Sequence, residues 1–132
     1  MQTETSHGPL TGPEGDGPAP AGGPRWRALL EMRWRARLQE VTELALAYHE
    51  AEAAGRGGGK HRLQVQRLLR LQRRTVTSRR ALADTEEALA RLSAGRYGWC
   101  ESCAGAIPAQ RLAATPEARY CARCARGRGR GR

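Results

Sequence analysis

A chain of 132 residues with 5% aromatic residues and no Phe cannot assemble a large globular core; it needs long helical pairing or a metal to hold it. The net charge of +10 is uneven: residues 1–24 carry Glu4, Glu14 and Asp16 and no Lys or Arg, which leaves +13 on the remainder. That balance favours acidic partners and argues against a membrane protein, since there is neither an apolar run of about eighteen residues nor a charged-then-apolar leader.

Residues 1–24 (MQTETSHGPLTGPEGDGPAPAGGP) are rich in Gly and Pro with little to bury, and read as a disordered tail. Pro24 suits a first helical turn, and neither Pro nor Gly recurs before Gly55, so a helix of about thirty residues, ~45 Å long, is expected. Its apolar seam reads as Leu30, Trp34, Leu38, Val41, Ala45 and Tyr48, at steps of three and four. The GRGGG run at 55–59 breaks this helix and makes a tip. A second helix is expected from Lys60 to Leu92, with Gly95 as its left-handed stop. Its seam is Leu68, Leu71, Thr75, Ser78, Leu82, Thr85, Leu89 and Leu92. Folded back, the seams pair Ala45 with Leu68, Val41 with Leu71, Leu38 with Thr75, Trp34 with Ser78 and Leu30 with Leu82, giving an antiparallel coiled-coil hairpin over 25–93. Leu89 and Leu92 then lie beyond the first helix and are free to pack on the cysteine-bearing segment. Trp26, Trp34 and Tyr48 are expected as packing residues.

That segment, residues 94–125, holds all four cysteines: Cys100 and Cys103 two residues apart, a gap of seventeen, then Cys121 and Cys124. Paired C-x2-C motifs at this spacing are the pattern of a tetrahedral four-thiolate zinc site. A two-residue gap lets both sulfurs of a pair reach one ion, and the loop carries the second pair to its other side. Four thiolates leave no position for water or substrate, so the site is structural. Disulfides need an oxidising compartment, a thioredoxin-like pair needs a βαβ setting, and iron is an alternative for four thiolates; zinc is the expected ion, one per chain. Free thiols for zinc also fit a cytoplasmic protein, and a monomer is expected.

The stretch YGWCESCAGAIPAQRLAATPEARYCARC resembles the four-cysteine zinc finger of the TraR/DksA family, bacterial proteins that act on RNA polymerase. The resemblance rests on both cysteine pairs and their gap, Ile107-Pro108, Arg111-Leu112 and Pro116, and is close over about residues 82–124. It implies a mainly α fold in which a long hairpin carries the finger. It also implies a non-enzymatic regulator of transcription that binds RNA polymerase through the hairpin. Three departures accompany it, the first being that family members commonly continue into a helix after the last Cys, which the Gly-alternating run after Cys124 is expected to prevent. The tip EAEAAGRGGGK lacks the family's spaced Asp motif: its acids are Glu50 and Glu52, beside Arg56 and Lys60. Ala104 replaces the Gly usual after the second Cys, which shifts the turn to Gly105.

Between Lys60 and Arg80 there are eight basic residues and no acid. Arg73, Arg74, Arg79 and Arg80, beside Arg33, Arg35 and Arg37 of the first helix, form a positive belt. It reads as a solvated face, as a dock for an acidic protein channel, or as a grip on nucleic acid phosphates. Residues 126–132 (RGRGRGR) are expected as a flexible cationic tail, because alternating Gly opposes a helix.

Overall fold

The computed structural model describes residues 23–55 and 61–130. They form four helices: α1 (Pro24–Ala54), α2 (His61–Ser93), α3 (Ala109–Ala114) and α4 (Ala122–Arg130). Among the described residues the only β pairing is a single antiparallel bridge, Trp99 to Ala106. The expected N-terminal tail, the tip at 56–59 and the tip residues Arg56 and Lys60 lie outside the described residues.

The described residues divide into two compact units, 31–86 and 23–30 with 87–130. Within Glu31–Glu86, α1 and α2 pack antiparallel. The Gln64 carboxamide donates to the Ala51 carbonyl near one end, and the Trp34 indole Nε1 donates to Glu86 at 3.1 Å near the other. On α2 the expected seam is observed: Leu68, Leu71, Thr75, Ser78 and Leu82 are buried or half-buried, while the arginines around them are exposed. On α1 the seam differs. Leu44 is buried and Arg37 half-buried, whereas Leu38 is 40% exposed and Ala45 is exposed. The inward positions are therefore Trp34, Arg37, Val41, Leu44, Tyr48 and Ala51, a heptad alternation displaced by one residue at two layers.

The pairing changes with it. Arg37, not Trp34, shares a cleft with Ser78, and the Trp34 indole reaches Glu86 instead. The physical reason lies in Arg37 itself. Arg37 is half-buried with its Nε buried, and a long aliphatic stem lets a residue read as polar take a packing position. Ser78, 4% exposed, leaves room for that side chain.

In the other unit, the first turns of α1, the last turns of α2 and the cysteine-bearing segment share one core. Trp26, Leu30, Ala88, Leu92, Tyr97, Cys100, Ile107, Leu112 and Ala118 form it, with Leu89 packed against them. Leu89 and Leu92 thus pack on the finger as expected, but not beyond the reach of the first helix: Trp26 and Leu30 of α1 are there too. Trp26 and Tyr97 meet at 6.0 Å between ring centroids, tilted by 51°.

Helix α2 ends where the sequence indicates. Gly95 takes φ +77°, the Gly95 amide donates to the Leu92 carbonyl and the Arg96 amide to the Arg91 carbonyl. That pair of bonds satisfies carbonyls the last turn would leave open, in a conformation a side chain would strain. The C-terminal segment departs from expectation. Residues 122–130 are helical despite Gly127 and Gly129, each costing about 1 kcal/mol relative to Ala. The turn at the second cysteine pair nucleates the helix, since the Ala125 amide donates to the Cys121 carbonyl at 2.9 Å. The Arg128 guanidinium adds a contact by lying 4.4 Å from the Tyr120 ring centre.

Candidate metal centre

The two cysteine pairs arrive from different local structures. Cys100 and Cys103 sit on a tight reversal closed by the Trp99–Ala106 bridge. The Cys100 amide donates to the Gly105 carbonyl at 2.7 Å, Ala104 donates back to the Cys100 carbonyl at 2.9 Å, and Ile107 donates to Gly98 at 2.7 Å. The left-handed position of this reversal is Ala104 itself, with φ +64°, not the expected Gly105. Cys121 immediately precedes α4 and Cys124 lies in its first turn.

The gap between the pairs is filled by α3, which begins after Pro108 and buries Leu112 completely. It stops at Thr115, extended at φ −137° because the residue before a proline disfavours helix. Three bonds fasten this loop. The Tyr97 hydroxyl donates to the Pro116 carbonyl at 2.8 Å, Arg111 Nε donates to the Tyr120 carbonyl at 2.9 Å, and the Glu101 amide donates to the Arg119 carbonyl at 2.8 Å. Arg91, buried on α2, donates to the carbonyls of Glu117 and Ala118 and lies 3.8 Å from the Glu101 carboxylate. Arg119 pairs with Glu87.

Together these elements bring the four sulfurs within 4.8 Å of one another, and none is joined in a disulfide. Cys103 and Cys121 Sγ are 4.0 Å apart. A tetrahedron with metal–sulfur bonds of ~2.3 Å places its sulfurs ~3.8 Å apart, so the cluster fits one zinc ion. The Ser102 amide points at Cys100 Sγ at 3.4 Å. Burial raises the Cys100 thiol, but the amides of Cys103, Cys121 and Ser102 and the Cys103 thiol outweigh it and hold the group at about 6. Cys121 is also lowered, first by the amide of Cys124. Cys124 is pushed up to about 11, chiefly by its hydrogen bond with Cys121. A metal that binds the four thiols as thiolates displaces their protons.

Of the other expected site residues, Glu50, Glu52, Arg73, Arg74, Arg79 and Arg80 are exposed. Arg73 and Arg74 share a cleft with Arg37 and Glu40 of α1, which brings the two helices' contributions to the belt together. Arg91 and Tyr97 fall in the helix-to-finger junction that resembles the family's, but their contacts are not readable from the sequence; the carbonyls that Arg91 meets lie 26 and 27 residues away.

A helical hairpin and a compact four-cysteine finger with no open coordination position define a small zinc-finger protein. Residues 95–128 match the prokaryotic dksA/traR C4-type zinc finger, so the finger is of TraR/DksA type. An uncharacterised protein of Aquifex aeolicus (strain VF5) is 48% identical over 44 residues, 33% of this chain. The match spans about a third of that relative, 30% of its length. Among solved structures, transcription factor DksA2 from Pseudomonas aeruginosa matches with a TM-score of 0.71 at 22% identity, covering 80% of this chain and 81% of that one. The likeness establishes a DksA-like fold. Among the described residues, no helix is long and apolar enough to cross a membrane.

Proposed function

We propose that this protein is a non-enzymatic regulator of transcription of the TraR/DksA type, which binds bacterial RNA polymerase in the cytoplasm through its helical hairpin. The observation that carries the reading is the pairing of a dksA/traR finger with a DksA-like fold over 80% of the chain. Cys100, Cys103, Cys121 and Cys124 bind one zinc ion, whose role is to close the finger. With four thiolates on the metal there is no position for a substrate, so the ion supplies folding energy and no catalysis.

The hairpin offers two features to polymerase. Arg73, Arg74, Arg79 and Arg80 present positive charge to an acidic channel wall. Glu50 and Glu52, with Arg56 and Lys60 of the tip, give a mixed charge pattern where family members carry spaced aspartates. The consequence is binding with an altered regulatory effect.

A second reading, nucleic acid binding by the Arg-rich hairpin face and the Arg-Gly C-terminal segment with the finger as scaffold, is favoured by α4, which sets Arg123, Arg126 and Arg128 on one short helix. Affinity purification of the tagged protein from its own cells, with and without nuclease, separates the two. Polymerase subunits that survive nuclease support the first reading; recovery of nucleic acid alone supports the second and removes the first.

A further inference from the structure

Helix α2 carries a second apolar seam that the hairpin does not use. Val65, Leu69, Gln72 and Val76 recur at steps of four, three and four, the spacing of a helix-packing stripe. All are exposed: Val65 by 38%, Leu69 by 45% and Val76 by 57%. Scattered single apolar residues need no explanation, but a stripe in register does.

Leu69, Gln72 and Val76 of this stripe form one wall of an open groove. Ala45, Tyr48 and His49 of α1 form the other wall, and the groove has a volume of about 830 Å³. Leu69 to Arg79 is ten helical steps of α2, or ~15 Å, about three turns of a docked helix. Arg73 and Arg79 stand at its rim, and no carboxylate lines it. The groove lies wholly within Glu31–Glu86 and shares no residue with the metal centre.

We propose that this groove binds an acidic amphipathic helix of a partner protein, with apolar side chains against Tyr48, Leu69 and Val76 and carboxylates against Arg73 and Arg79. Charge decides among occupants. A second copy of this chain would bring the same rim arginines against each other, and a neutral apolar helix would offer them no counter-charge. An amphipathic helix with acidic flanks satisfies both the stripe and the rim, in the helix-in-groove manner. The inference stands whether or not polymerase is the protein that supplies the helix.

The test uses the full zinc-loaded chain and a fluorescein-labelled synthetic helix of about four turns, with Leu at heptad a and d positions and Glu on both flanks. Anisotropy should show saturable binding that weakens as salt rises. Replacing the flanking Glu by Lys in the probe should abolish it. Leu69→Asp with Val76→Asp should weaken it by about tenfold or more. In the unmodified protein, amide resonances that shift on binding should lie on residues 45–49 and 69–79, which localises the site without any variant. Absence of saturable binding overturns the proposal, as does equal binding of the Lys probe or shifts confined to the finger. A concentration-dependent dimer that places the same resonances at its interface also overturns it, and assigns the groove to a second copy.

Discussion

The buried guanidinium of Arg91 donates to two loop carbonyls, at Glu117 and Ala118, and so ties the end of α2 to the segment that delivers the second cysteine pair. Arg91→Ala leaves both carbonyls short of a charged donor and should cost about 2–3 kcal/mol in denaturant unfolding of the zinc-loaded protein. An unchanged midpoint would show that the loop holds itself. Ala104 presents the opposite case. Its φ of +64° strains a side-chain-bearing residue, and Ala104→Gly should raise stability by about 1 kcal/mol, read as a higher Tm. At the metal centre, Cys121→Ser removes one corner of the tetrahedron. Zinc content should fall well below one equivalent and the finger loosen, while full metal retention would contradict the ligand assignment. The cysteines were legible because ligand chemistry fixes both residue type and spacing. Arg91 and the φ of Ala104 were not, because each depends on a chain segment brought near only by folding.

At the level of elements, α1 and α2 were readable from their lack of Pro and Gly and from their three–four spacing, and the stop at Gly95 from its conformational freedom. The phase of α1 was not, since Leu38 and Ala45 are as apolar as a seam requires and only packing shows that Arg37 and Leu44 take the inward places. The two phases differ in a measurable way. Leu44→Asp places a charge in a site 5% exposed and should cost about 3 kcal/mol or more, whereas Leu38→Asp, at a 40% exposed site, should cost under about 1 kcal/mol. Equal costs would restore the other seam. Helix α4 was illegible for a different reason: intrinsic propensity argues against a Gly-alternating helix, and the anchoring turn at Cys121 and the Arg128–Tyr120 contact act against that propensity. A Cβ at Gly127 meets no atom within 4 Å, so Gly127→Ala should increase helical circular dichroism by lowering the cost of this segment. No increase would mean that the helix is already fully formed.

For the molecule as a whole, the metal ligands lie in one compact unit and the positive belt in the other, so the metal and the proposed docking surface can be disturbed separately. Changing Arg73, Arg74, Arg79 and Arg80 to Ala should leave zinc content intact, because none of them touches the cysteine cluster. The same change distinguishes polymerase from nucleic acid through salt dependence, as phosphate contacts on duplex DNA contribute a log–log slope of about −0.9 each. The most direct measurement is equilibrium binding of the zinc-loaded protein to purified bacterial RNA polymerase at physiological salt, with free duplex DNA as the parallel ligand. The account predicts saturable binding to polymerase that the four-arginine variant weakens, together with weak DNA binding by both proteins. Tight, steeply salt-dependent binding to DNA with none to polymerase would contradict it.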